Sequence, residues 1–216
     1  QNKDESFIAD YLAKLLEKNG IQSEKVASAP NRENLVATLG EGNDKVLGIT
    51  GHMDVVSIGD ASLWTAPPFT MTEKNGNLYG RGTTDMKSGL AALVIAMIEL
   101  KQENSKLNGT LKLLATIDEE VNETGAKTLV EHGYADDLTA LIVAEPSGID
   151  KEQLANSEAQ LPISQEQLQA LQNANKTAEQ HFLVFAHNGS FDFKVTSIGK
   201  TAHSSMPNLG VNAIDN

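Results

Sequence analysis

Between residues 34 and 145, short apolar runs of strand length alternate with longer apolar runs of helix length, and that alternation leaves few folds open. "NLVATLG" (34–40) and "KVLGITG" (45–51) read as strands joined by the turn-like "EGND". After Asp85 comes "GLAALVIAMIEL" (89–100), a buried helix, and then the strand "TLKLLATI" (110–117). A helix through "TGAKTLVEHGY" and the strand "ALIVAE" (140–145) complete the series. Strand, helix, strand, helix, strand predicts an α/β architecture, a mixed, mostly parallel sheet flanked by helices.

The flanking segments are simpler. Phe7, Ile8, Tyr11, Leu12, Leu15 and Leu16 recur at helical spacing, and Asn19-Gly20 supplies a stop. Pro67 and Pro68 bar regular pairing in "LWTAPPF", and Asn75-Gly76 marks a hairpin. At residue 149 the composition turns polar and glutamine-rich, so 1–148 reads as the main domain and 149–181 as a surface insertion. Within the insertion, Ser164 and Gln167 form a capping box for a short helix carrying Leu168 and Leu171. Residues 182–216 begin another unit, with the alternating strand "GSFDFKVTSIG" (189–199) and the loop "KTAHSSMPNLG". The chain starts at Gln1 and stops at "GVNAIDN", where a helix begins, which reads as part of a longer protein.

Charge narrows the function. A net charge of -12 with no basic patch argues against a nucleic-acid partner and suits cations. The chain has no cysteine, so a metal would have to sit on His, Asp and Glu. The same absence fits a cytoplasmic location. The longest apolar run falls short of the ~20 residues that a membrane span needs, and no signal-peptide pattern precedes it.

Ligands in open α/β sheets collect beyond the carboxyl ends of the strands. Here those ends carry His52 and Asp54, then Asp118, Glu119 and Glu120, then Glu145 before Pro146. Asp85 lies at the start of the long helix. Each group has a plain structural reading. His52 and Asp54 share a strand face and could simply pair; "DEE" could be a helix's acidic first turn; Asp85 could be an N-cap. Taken together, several carboxylates at one sheet edge would repel unless cations hold them. Charge balance favours two dications over one.

Five segments in this order, "GHMDVV", "GRGTTDMKSGLAA", "ATIDEE", "EPSG" and "GKTAHSSMPNLGVNAID", resemble the M20 metallopeptidases. The resemblance is nearest to the branch holding succinyl-diaminopimelate desuccinylase, acetylornithine deacetylase and aminoacylase. It implies a zinc-exopeptidase-like catalytic domain followed by the start of an α+β lid that makes a homodimer. It also implies two divalent metals, zinc first, with cobalt or manganese possible. His52, Asp85 and Glu145 would bind one metal; Asp85 would bridge to a second, held also by Glu120. Asp54 would back His52, Glu119 would act as general base and acid, and His203 on the lid would help bind the developing oxyanion. The implied substrate is an N-acyl amino acid, in lysine and diaminopimelate synthesis if the enzyme is a desuccinylase. An acetylornithine deacetylase, a carboxypeptidase or dipeptidase, and an inactive metal- or peptide-binding relative are the alternatives. The family's further histidine ligand has no counterpart after His203, so the second metal site is expected to be incomplete here. His132, His181 and His187 read as structural or exposed, His132 sitting where a cation suits a helix end.

Overall fold

The computed structural model describes residues 5–42, 44–146, 164, 166, 196–200, 202, 205 and 207–211. The chain divides into two compact units, Gln1–Ile149 and Asp150–Asn216.

The first unit is built from α1 (Ser6–Lys18), β1 (Ser23–Ala29), β2 (Arg32–Gly40), β3 (Val46–His52), β4 (Thr72–Lys74), β5 (Asn77–Tyr79), α2 (Ser88–Gln102), β6 (Thr110–Thr116), α3 (Thr124–Glu131) and β7 (Ala140–Val143). Five strands form one sheet in the order β1-β2-β6-β3-β7. β1 pairs antiparallel with β2, and β2 with β6. β3 runs parallel to both β6 and β7. The expected mixed sheet is present, and its parallel part is the half that carries the acidic strand ends. The strands on either side of "EGND" are not neighbours, because β6 inserts between them.

Burial is nearly continuous along the middle of β2 and the latter part of β6, with successive residues buried on opposite faces, as a sheet covered on both sides requires. Leu35, Ala37, Ile49, Leu111, Leu113 and Ala115 meet Ala9, Leu12 and Leu16 of α1 and Leu90, Val94 and Met97 of α2. Val26, Val36 and Leu114 pack against Leu129 of α3. Each large apolar side chain buried this way contributes about 1.5–3 kcal/mol. Not every apolar position of α1 faces the core: Phe7 is 79% and Tyr11 62% exposed. The helix buries only the narrower stripe of Ala9, Leu12 and Leu16, and ends with Asn19 at its C-cap and Gly20 at φ 70°. The β4–β5 hairpin turns through Asn75 and Gly76, at φ 55° and 77°, the left-handed pair that such a turn demands.

β1 carries no hydrophobic signal, since only Val26 of its seven residues is buried. It is held by its ladder with β2 and by Asn34, which is fully buried. Asn34 Nδ2 donates to the Val26 carbonyl at 3.3 Å and to Ser28 Oγ at 3.2 Å, and Asn34 Oδ1 accepts the Ile117 N–H at 3.1 Å. Asn34→Leu leaves that N–H without its acceptor and is expected to lower unfolding free energy by about 1–3 kcal/mol. Urea denaturation measures it.

In the second unit, Lys200 and Val211 exchange antiparallel backbone hydrogen bonds of 2.9 and 3.0 Å around the short turn Pro207–Leu209. Residues 196–199, the end of the segment read as an alternating strand, lie outside any strand. The earlier part of that segment, nearly all of the 149–181 insertion, His181, His187 and His203 lie outside the described residues. Among the described residues no helix is long and apolar enough to cross a membrane.

Candidate metal centre

The place of β3 between β6 and β7 decides where the chemistry can sit. Its neighbours β6 and β7 run in its own direction, in a register that sets His52 opposite Thr116 and Thr50 opposite Val143. Three chain segments therefore leave the sheet side by side at the carboxyl ends of parallel strands, where open α/β sheets form their binding crevice. His52 is the last residue of β3 and is 1% exposed.

Two glycines let the fourth segment come close. A Cβ on Gly51 would lie 2.6 Å from Met86 Cε, so the bare backbone admits Met86, and the Met86 sulfur accepts the His52 N–H at 3.1 Å. A Cβ on Gly89 would lie 2.1 Å from the Ala144 carbonyl oxygen, so the first turn of α2 rests directly on the chain leading to Glu145. Asp85 stands just before that helix with non-helical backbone (φ −112°, ψ 102°). On helix propensity alone Gly89→Ala would stabilise by roughly 1 kcal/mol. The contact reverses the sign: we expect a net destabilisation of about 1–3 kcal/mol from overpacking, with weaker metal binding as Glu145 is displaced. Thermal unfolding and a metal titration read the two effects separately.

The side chains converge on His52. Its Nε2 lies 3.0 Å from Asp85 Oδ1, 3.6 Å from Glu145 Oε1 and 3.8 Å from Glu119 Oε2. The ligand atoms of His52, Asp85 and Glu145 all lie within 4.8 Å of one another. A four-coordinate zinc holds such donors at about 2.0–2.2 Å, which places any two of them about 3.3–3.6 Å apart. The 3.0 and 3.6 Å from Nε2 to Asp85 and Glu145 bracket that spacing, and the donor set, one imidazole and two carboxylates, suits a divalent ion. On the other side of the ring, Nδ1 lies 3.1 Å from the Asp54 carbonyl oxygen and 3.5 Å from Asp54 Oδ1. That arrangement fixes the ring so that Nε2 faces the carboxylates.

The carboxylates crowd one another. Burial raises Glu119, as do the charges of Glu120, Asp54 and Asp85, with His52 opposing. Burial likewise raises Glu145, helped by Asp85, Glu119 and Glu120. Burial pulls His52 down, but Asp54, Asp85 and Glu145 outweigh it and push its pKa up to about 9. The pocket thus favours a positive charge at the ring, and a metal at Nε2 would take the place of that proton. For Asp54, burial is overcome by His52 and by the N–H groups of Glu120 and Glu119, which hold it below the usual carboxylate range.

Asp85 is not an N-cap; α2 starts without a side-chain cap, and the carboxylate turns to the histidine instead. The acidic run 118–120 is not a helix's first turn, since α3 begins at Thr124. Glu120 stands outside the three-residue cluster. Its N–H donates to Asp54 Oδ2 at 3.1 Å, and the Glu119 N–H donates to Asp54 Oδ1 at the same distance. Asp54 therefore holds both acids by their backbone, a contact across more than sixty residues that no local pattern in the sequence announces. Lys87 was also missed: its ammonium donates to the Met53 carbonyl, and burial lowers its pKa while Asp54 opposes that shift. Only its place in "DMKSG" could have flagged it.

With that geometry in hand, similarity to known proteins takes on meaning. A sequence profile of peptidase family M20/M25/M40 matches residues 48–208. A protein of Staphylococcus epidermidis named "Probable succinyl-diaminopimelate desuccinylase" is 44% identical over 215 residues, covering 100% of this chain and 45% of that protein. An acetylornithine deacetylase of Pasteurella multocida is 32% identical over 210 residues, covering 96% of this chain and 45% of that one. Among solved structures, human carnosine dipeptidase 1 superposes with a TM-score of 0.56 at 24% identity, over 64% of this chain and 32% of that one, a likeness of fold. The chain thus spans about half the length of the curated relatives it matches.

Proposed function

The chain belongs to peptidase family M20/M25/M40, and from that premise we propose that it carries the metal-binding part of an amidohydrolase that removes the acyl group from an N-acyl amino acid. Our specific reading is succinyl-diaminopimelate desuccinylase, which cleaves N-succinyl-LL-2,6-diaminopimelate with water to succinate and LL-2,6-diaminopimelate. The 44% identity to a protein of that name supports it. The observation that carries the chemistry is the meeting of His52, Asp85 and Glu145 within 4.8 Å, with Glu119 Oε2 3.8 Å from the same ring nitrogen.

In this reading His52, Asp85 and Glu145 hold one divalent ion, and Asp85 with Glu120 contributes to a second. Zinc suits the donors best, and cobalt or manganese would also be accepted. Such ions supply Lewis acidity toward an amide carbonyl and make a nearby water acidic enough to deprotonate near neutral pH. Glu119 takes the water's proton as the new C–O bond forms, then delivers it to the amine nitrogen as the C–N bond breaks. The raised pKa of Glu119 suits a group that must both accept and return a proton. Asp54 orients His52 from behind. His203 would come from a lid to the developing oxyanion, assistance worth about 3 kcal/mol per donor.

The organisation follows the same reading: a catalytic part over 1–148, an insertion over 149–181, and a lid from 182 that pairs two copies of a cytoplasmic enzyme. The 32% identity to an acetylornithine deacetylase favours one alternative substrate, acetylornithine. The test is turnover of N-succinyl-diaminopimelate, acetylornithine and simple dipeptides by the full-length, metal-loaded protein, with and without chelator. We expect the succinyl substrate to be preferred and the chelator to stop turnover. Turnover indifferent to metal removal would end the proposal, and a preference for acetylornithine or a dipeptide would replace the substrate.

A further inference from the structure

The two acids beside the metal ligands lie on a loop whose conformation is imposed from below by a charged cluster that the chemistry never touches. Arg32, on β2, donates from Nε to Glu5 Oε2 at 2.9 Å and from Nη2 to Glu5 Oε1, and the same Nη2 reaches Asp118 Oδ1 at 3.0 Å. Its side chain is 13% exposed, that of Glu5 8% and that of Asp118 2%. The other oxygen of Asp118 accepts Thr124 Oγ1 at 2.7 Å and Asn122 Nδ2 at 3.3 Å. Asp118 has φ 58°, a left-handed conformation that aspartate tolerates better than most residues but that still costs free energy relative to ordinary backbone. Its carbonyl accepts the N–H groups of Asn122, at 3.2 Å, and Glu123, at 2.7 Å. The next two N–H groups, of Glu119 and Glu120, are taken by Asp54.

We propose that Arg32 is a positioning residue for the reaction: braced by Glu5, it locks Asp118 in its left-handed turn and so aims Glu119 and Glu120 at the metal centre. The turn is gripped from two sides, by Arg32 through Asp118 and by Asp54 through the next two amides. Remove the first grip and Asp118 can relax toward an ordinary backbone conformation, which swings the following residue. A displacement on the scale of 1 Å at a general base costs on the order of 100-fold in rate. Arginine is required because its planar fork grips Glu5 through both Nε and Nη2 while Nη2 also reaches Asp118; a lysine ammonium has no second nitrogen to fix that orientation.

The inference rests on Glu119 being the base, so the experiment carries Glu119→Gln alongside. In the full-length, metal-loaded protein, Arg32→Lys is expected to lower kcat by about 100-fold with KM and the metal held at His52, Asp85 and Glu145 unchanged. Arg32→Ala is expected to lose as much, with part of kcat returning when guanidinium is added to protein already folded by circular dichroism. Thr124→Val removes one Asp118 bond without changing volume, should lower kcat by a smaller factor, and decides the matter where the Arg32 variants do not fold. Wild-type kcat in folded Arg32→Lys, or in Thr124→Val, overturns the proposal. A kcat that falls only in step with the unfolded fraction, with no response to guanidinium, also overturns it. Should Glu119→Gln turn over normally, the reading of Glu119 falls and this inference with it; an inactive Glu119→Gln beside an unimpaired Arg32→Lys removes the inference alone.

Discussion

Glu119→Gln is expected to keep its metal and lose turnover by about 10²–10⁴-fold, the range that a positioned acid–base group supplies. The substitution is close to isosteric, and the Glu119 contact that shapes the loop is its backbone N–H to Asp54, which glutamine retains. His52, Asp85 and Glu145 are untouched, so metal content should not change. What is lost is the capacity to accept a proton. The Glu119 side chain is 46% exposed and 3.8 Å from His52 Nε2, open to a substrate and next to the proposed metal at once. Steady-state kinetics with metal analysis on the same preparation checks both halves. Full activity would remove Glu119 from the role and leave an acidic metal site without an assigned base.

The sequence was most informative where a single chain segment carried its own signal. Parallel β3 and β6 were legible because buried strands are continuous apolar runs, β7 because its short run is apolar even though its residues stay exposed, and α2 because its run is too long for a strand. Strand ends then predicted which residues would share a crevice, and the structure does bring His52, Asp85 and Glu145 together. β1 was not legible, because a strand held by backbone ladder and one buried asparagine shows no hydrophobic alternation. The sheet order was not legible either, since β6 enters between β2 and β3 from seventy residues downstream. The supports of the site were missed for the same reason. Arg32 carries no local signal and Asp54 reads as a partner of His52, yet each grips the loop 118–120 from far away in the chain. Long-range polar contacts have no period, so only coordinates show them.

His52→Ala is expected to abolish metal binding at the cluster, a larger loss than any change to the residues behind it. His52 is the sole nitrogen donor in the group and its only buried member; Asp85 and Glu145 have side chains 55% and 37% exposed. Without the ring the remaining ligands are two partly solvated carboxylates, so a cation would meet half-hydrated oxygens in place of a fixed chelate. Asp54→Asn is the informative comparison. Loss of an outer partner typically weakens metal affinity by about 10–100-fold and leaves a site that still fills at higher metal concentration. The N–H groups of Glu119 and Glu120 meet different oxygens of Asp54, so asparagine at 54 turns an NH2 donor toward one of them, and its kcat should fall even at saturating metal. Titration calorimetry with zinc, followed by kinetics at saturating metal, separates the two variants: no binding for His52→Ala, weakened binding with a depressed kcat for Asp54→Asn. Unchanged zinc affinity in His52→Ala would place the metal elsewhere, because no arrangement of Asp85 and Glu145 alone supplies the chelate that the spacing around Nε2 describes.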